Sequence, residues 1–189
     1  MNEQNFLKRL DFLATGDGVI REVPIPVSAC LNASGTAVAN VSGVLTWYAQ
    51  DDNDSLTIPF KVPMDYDPAL DELAVVLTAE ETTSTDVSTT NYIELDLDVV
   101  GLVRPGGAAK TTLTPVSDSQ KVALTVEEYA FDLSGLGVKP GDVLSIEIDA
   151  QETGTAETSV YAVSVKYRSN IVANDVRLRG VVTEVITND

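Results

Sequence analysis

The chain has 189 residues and 44% hydrophobic content, enough for one well-filled core and too apolar for wholesale disorder. A formal net charge of −17 excludes nucleic acid as an expected partner, because phosphate binding needs a surplus of Lys and Arg. No apolar run is long enough to cross a bilayer, so no membrane partner is expected, and the opening Met-Asn-Glu-Gln-Asn-Phe-Leu-Lys-Arg-Leu lacks the basic-then-apolar order of a signal peptide.

Phe6, Leu7, Leu10 and Leu13 have helical spacing, but Gly16 and Gly18 end the segment, and so short a helix is marginal unless it docks on something. Residues 19–28 read as an extended arm or an edge strand, since Pro24 and Pro26 remove two backbone donors. Residues 31–43 are small and polar, a loop or a weak strand. Residues 44–50 form a strand with Trp47 and Tyr48 on opposite faces, followed by a turn at Asp51, Asp52, Asn53 and Asp54. Leu56, Ile58, Phe60 and Val62 alternate with Thr57, Pro59 and Lys61, and Pro59 again marks an edge. Residues 63–71 are a structured connection rich in turn formers, and Leu73, Val75 and Leu77 mark the next strand.

Residues 80–91 are a Thr/Ser-rich loop of the kind that tips a hairpin. Ile93, Leu95, Leu97 and Val99 then alternate with Glu94, Asp96 and Asp98. Residues 101–119 are irregular, broken by Pro105 and Pro115, with a short strand expected near 111–114. Val122, Leu124 and Val126 hold an even phase, and Tyr129, Phe131 and Leu133 an odd one, which predicts a β-bulge at Glu127 and Glu128. Residues 129–168 read as strand, Gly/Pro corner, strand, loop, strand, with residues 135–142 as a hinge between two paired strands. Leu144, Ile146 and Ile148 share one face there, and Tyr161, Val163, Val165 and Tyr167 share another. Residues 175–189 are β-prone but hold no single phase.

One wet and one dry face per strand imply an all-β fold: an antiparallel β-sandwich, jelly-roll-like, with about eight strands. An N-terminal arm (1–28) and a C-terminal tail or added strand (171–189) are expected to flank a sandwich domain (29–170). Basic residues concentrate near the ends (Lys8, Arg9, Arg21; Lys166, Arg168, Arg177, Arg179), while the body holds only Lys61, Arg104, Lys110, Lys121 and Lys139. Either the ends face a different partner from the body, or this is chance placement on solvated surface.

Histidine is absent, which removes Ser-His-Asp and Cys-His catalysis and His-based zinc sites together. Cys30 is the single cysteine, so no intrachain disulfide or cysteine metal cage forms, and a small buried hydrophobe is its plain reading. Glu94, Asp96 and Asp98 could act as glycosidase carboxylates, or simply be a solvated outer face. Asp51, Asp52, Asn53 and Asp54 could chelate calcium, or form an Asx turn. Trp47, Tyr48, Tyr66, Tyr92, Tyr129, Tyr161 and Tyr167 could offer a sugar platform, but most sit in the apolar phase of their strands.

Three runs carry a family resemblance. They are Ile-Pro-Phe-Lys-Val-Pro-Met-Asp-Tyr-Asp-Pro-Ala-Leu-Asp-Glu-Leu (58–73), Phe-Asp-Leu-Ser-Gly-Leu-Gly-Val-Lys-Pro-Gly-Asp (131–142) and Val-Tyr-Ala-Val-Ser-Val-Lys-Tyr-Arg-Ser (160–169). They resemble the capsid decoration (cement) proteins of tailed bacteriophages, small acidic proteins with a jelly-roll body, over roughly residues 44–168. The resemblance implies a non-enzymatic virion protein on the outer capsid surface, a homo-oligomer (a trimer) bound to the major capsid protein. The alternative is a carbohydrate- or receptor-binding sandwich of a fibre, tail or vertex. Expected capsid or inter-subunit contacts are Phe6, Leu7, Leu10, Leu13, Ile25, Val27, Arg177, Arg179 and Val182. No catalytic residue, metal site or cofactor is expected.

Overall fold

The computed structural model describes residues 19–34, 39–41, 43–49, 54–82, 91–107, 111–115 and 119–170. The strands are β1 (Val19–Ile25), β2 (Leu31–Ser34), β3 (Ala39–Val41), β4 (Val44–Ala49), β5 (Ser55–Lys61), β6 (Leu73–Glu81), β7 (Tyr92–Val103), β8 (Thr111–Leu113), β9 (Ser119–Lys121), β10 (Glu127–Asp132), β11 (Val143–Thr153) and β12 (Thr158–Ser169). A 3-10 turn, Val27–Ala29, follows β1. Four of these strands, β2, β3, β8 and β9, are only three or four residues long. Apart from β1, the remaining strands are the ones whose alternation is legible in the sequence.

The strands form two antiparallel six-stranded sheets, a sandwich of jelly-roll type. The front sheet runs β10-β6-β12-β4-β3, with β1 also on β12; the back sheet runs β2-β5-β11-β7-β8, with β9 also on β7. From β4 to β7, and again from β10 to β12, each successive strand lies in the sheet opposite its predecessor. Such crossing connections bury the dry face of every strand against the other sheet. Trp47, Leu56, Ile58, Leu77, Ile93, Phe131, Ile146 and Val165 fill the space between the sheets and have 0% exposure. Each such side chain contributes roughly 1.5–3 kcal/mol by leaving water.

Two connections expected to join paired strands cross between sheets instead. Residues 80–91 do not tip a hairpin, because β6 is in the front sheet and β7 in the back; residues 83–90 lie outside the described part. Residues 135–142 likewise carry the chain from β10 in the front sheet to β11 in the back. The bulge expected at Glu127 and Glu128 is absent too: Glu127 pairs with Ala79 and Glu128 with Thr78 in regular register. The phase change has another cause. Residues 122–126 are no strand: Val122 is buried, Leu124 half-buried and Val126 54% exposed, where the chain passes from β9 in the back sheet to β10 in the front.

Register shifts occur elsewhere. Glu147 is opposite Val99 and Ile148 opposite Leu97, so Asp98 is the extra residue. Burial accordingly passes from Leu97 to Val100 and Leu102. In β12, Val160 is opposite Ala79 and Ala162 opposite Thr78, which makes Tyr161 the extra residue. Val160 takes the inward place that alternation gave to Tyr161. Pro59 lies on β5 beyond Thr57, where the partner β2 has ended, so the edge expectation holds for that half of the strand only.

Of the two readings of residues 19–28, an extended arm or an edge strand, the structure has the strand over Val19–Ile25. Val19–Ile25 pairs with β12 along its whole length, and Ile25 and Val27 are 9% and 5% exposed within the core. Both side chains pack inside this chain. Phe6, Leu7, Leu10, Leu13, Arg177, Arg179 and Val182 lie outside the described residues. Among the described residues no helix is long and apolar enough to cross a membrane.

Candidate functional site

Val19 pairs with Ser169, so the described chain enters and leaves the sandwich side by side at one end. The two long corners meet at that same end. The Val62 amide donates to the Asp142 carbonyl (2.8 Å), and the Gly141 amide returns a bond to the Val62 carbonyl (3.0 Å). The Asp67 amide donates to the Arg168 carbonyl (2.9 Å), the Asn170 amide to the Asp65 carbonyl (2.7 Å), and the Leu133 amide to the Leu73 carbonyl (2.8 Å). The three runs that carry the family resemblance are therefore one contiguous surface, which their separation in sequence conceals.

Three carboxylates hold this corner end together. Asp142, with its side chain 1% exposed, accepts Arg104 through both oxygens (Nε 2.9 Å, Nη2 2.7 Å) and the Lys139 amide (2.8 Å). The Arg104 hydrogen bonds outweigh burial and hold this carboxyl below its ordinary range. Asp65 joins the 63–72 corner to β12 and β1: it accepts Ser169 Oγ (2.7 Å) and the Tyr167 hydroxyl (3.1 Å), with Arg21 Nε at 3.4 Å. Burial acts to raise its pKa, but the Ser169 and Tyr167 hydrogen bonds and the Arg21 charge win and lower it. Asp71 accepts the buried Tyr66 hydroxyl (2.9 Å) on one oxygen and the Gly135 amide (2.6 Å) on the other. It does so from a left-handed backbone conformation, φ 47°, that Asp tolerates better than most residues. Burial and the neighbouring Asp71 push the Tyr66 phenol up.

All the described basic residues except Lys121 are at or near this end. Arg21, Arg104, Lys166 and Arg168 are paired with Asp65, Asp142, Glu128 and Glu72. Lys61 and Lys139 are exposed and form no salt bridge among the described residues. They line a groove of about 330 Å³ with Arg104, Pro105, Pro140 and Met64, whose side chain is 75% exposed. The opposite end carries Glu80, Glu81, Glu94, Asp96, Glu152 and Glu157, with Lys121 packed over the Tyr92 ring at 3.9 Å. That end is thus strongly acidic, whereas at the corner end the basic residues offset Asp65, Asp67, Asp71, Glu72, Asp132 and Asp142.

The expected carboxylate row lies on the open outer face of the back sheet. Glu94 accepts Ser119 Oγ (3.0 Å), Asp96 is directly opposite Asp149, and Asp98 is exposed at the bulge. Burial, then the charges of Asp98, Glu147 and Asp96, raises the Asp149 pKa. A raised pKa means the folded state disfavours the charged form, so this carboxyl weakens the fold as pH rises through the carboxylate range. We expect Asp149→Asn to stabilise the protein by about 0.2–1 kcal/mol at neutral pH, the cost of like charges facing across a ladder. The gain should vanish in acid, where both side chains are neutral; thermal melts across pH measure it.

The aromatic residues divide into two groups. Trp47 and Tyr66 are 0% exposed, and Tyr129 and Tyr167 are 5% and 4% exposed, which removes these four from any surface platform. Tyr48 and Tyr161 are half-buried at the acidic end and donate hydroxyls to Glu157 and Glu80. Cys30 is 5% exposed and burial pushes its thiol up to about 11, as a buried small hydrophobe should behave. Among the described residues no group of three or more Cys, Asp or Glu is placed to hold a metal ion; Asp51, Asp52 and Asn53 lie outside them.

No protein-family model matches the chain, and no curated protein matches it. Solved structures of similar shape include the CBM36-1 domain of a multidomain xylanase from the hindgut metagenome of Trinervitermes trinervoides. It is 13% identical over 77% of this chain and 96% of that one, with a TM-score of 0.46. A family two carbohydrate esterase from Cellvibrio japonicus is 8% identical over 80% of this chain, with a TM-score of 0.43; the chain spans 35% of that protein's length. A chain of infectious bursal disease virus Gt strain is 13% identical over 79% of this chain and 33% of its own, with a TM-score of 0.38.

Proposed function

We propose that this protein is a non-enzymatic structural component of a bacteriophage virion, an oligomeric decoration protein that clamps neighbouring capsid subunits from outside. The carrying observation is the Val19–Ser169 pair, which delivers both terminal segments to the end where the corner motifs and basic side chains gather. That end would seat on the major capsid protein, with the acidic end facing outward. A rigid block with its contacts gathered at one end suits a clamp, because each bound copy favours the assembled shell by mass action.

The exposed Lys61, Lys139 and Met64 are the described side chains best placed to meet an acidic and partly apolar capsid surface. Lys61→Glu combined with Lys139→Glu is expected to weaken binding to undecorated particles by at least about tenfold, since like charges across an interface cost several kcal/mol. Lys121→Glu, at the other end, should leave binding unchanged. Equal binding by both variants in a co-sedimentation titration would remove this end from the interface.

A second reading rests on Tyr48 and Tyr161, two half-buried rings with carboxylates on their hydroxyls, which is also the chemistry of a sugar-binding face. Glycan-array binding lost on Tyr48→Ala would favour that reading over the clamp.

A further inference from the structure

The outer face of the front sheet has a groove of about 310 Å³ at the corner end. Its apolar lining comes from Ile20, Leu73, Ala74 and Tyr167; Asp71, Glu72 and Asp132 stand around it, with Lys166 the single cation in its lining. Ile20 is 60% exposed there, an apolar side chain of β1 turned outward beside the point where the described chain begins. Of its lining residues, Glu72 is paired with Arg168 and Lys166 with Glu128, and Asp71 accepts Tyr66 and Gly135 on its two oxygens.

We propose that this groove is the docking site of the chain's own segment Phe6 to Leu13 in the free protein. Three observations point to that occupant. The segment is tethered at the groove's rim, because Leu13 is followed within a few residues by Val19 and Ile20, and Gly16 and Gly18 between them permit a reversal of direction. Its chemistry is the complement of the groove: Phe6, Leu7, Leu10 and Leu13 share one side at helical spacing, and Lys8 and Arg9 bring positive charge towards Asp71 and Asp132, while Glu72 is already paired with Arg168. A helix of this length is also marginal alone, and an apolar groove at its tether supplies the surface it needs. The residues expected to reach a capsid partner then rest on the chain's own body until a partner displaces them. This holds for the free chain whether or not a capsid is that partner.

Disulfide trapping in the full-length protein tests it. In a Cys30→Ser background, Leu10→Cys with Ala74→Cys is expected to form an intramolecular disulfide under mild oxidation. Leu10→Cys with Ser145→Cys, on the outer face of the back sheet, should cross-link at least tenfold more slowly. Adding Lys8→Glu and Arg9→Glu should slow the first pair several-fold at low salt, a difference that high salt erases. Equal rates for the two pairs would overturn the proposal. So would a cross-link recovered only as a dimer, which would assign the groove to a second copy.

Discussion

Asp142→Ala is expected to cost about 1–3 kcal/mol, the penalty for leaving a buried backbone donor without its acceptor. The Asp142 side chain is 1% exposed, yet its carboxylate is satisfied by a bidentate guanidinium and one backbone amide. Removing it leaves the Lys139 amide without its acceptor and Arg104 with the Gly137 carbonyl (3.0 Å), in the corner that carries the chain from the front sheet to the back. Arg104→Met should also destabilise the protein, since it leaves the Asp142 carboxylate, 1% exposed, with the Lys139 amide alone. The double variant should cost clearly less than the two single variants together, because they share one network. Urea titrations with an unchanged denaturant slope would read these values directly. The pH dependence has a definite sign. With the Asp142 pKa lowered on folding, its contribution is complete above the ordinary carboxylate range and is lost as pH falls through that range towards the folded value. The acid limb of the stability curve should therefore be shallower in Asp142→Ala than in the parent protein.

Asp65→Ala is expected to cost about 2 kcal/mol, less than the hydrogen bonds to a charged acceptor would sum to, because the site is partly exposed. Its effect should also be local. Asp65 holds the Ser169 and Tyr167 hydroxyls and faces Arg21, so losing it loosens β1 and the end of β12 together. Hydrogen exchange should accelerate in residues 19–22 and 167–170, while β6, β7 and β11 stay protected. Uniform acceleration across both sheets would mean that Asp65 supports the whole core and is no local clasp. As with Asp142, the pKa is lowered on folding, so this contribution too fades in acid.

The strands of this protein were largely written in its alternation. Leu144, Ile146 and Ile148, or Tyr129, Phe131 and Leu133, announce a dry face in the residues themselves, and the structure buries every one of them. What alternation leaves open is which sheet a strand joins. The shift from even phase at Val122 to odd phase at Tyr129 was legible, but a bulge and a crossing between sheets leave the same mark. The bulges at Asp98 and Tyr161 were illegible for the opposite reason: each extra residue sits within a run whose alternation looks unbroken until the partner strand is in place. Pro24 and Pro26 left an arm and an edge strand equally open for residues 19–28, and the pairing of Val19–Ile25 with β12, which needs bonds on one side only, selects the edge strand there.

The corner end was the least legible feature. Asp65, Asp71 and Asp142 look in the sequence like ordinary turn formers in a very acidic chain, and the partners that distinguish them are distant in sequence. Arg104 is 38 residues from Asp142, and Tyr167 is 102 from Asp65. A scarce basic residue in an acidic body was the one available clue, since an Arg in such a setting has many suitors and its position marks the winner. The Lys61–Lys139 pair emerges in the same way, from two corners that only the fold brings together.

The proposed role stands or falls on the particle. Virions carrying this protein should be stripped of it, and the temperature of genome release compared with that of the intact particle and of one to which the purified protein has been restored. The clamp predicts release at a lower temperature after stripping and full recovery on re-addition, with recovery lost for Lys61→Glu combined with Lys139→Glu. Identical release temperatures for stripped and intact particles would contradict it.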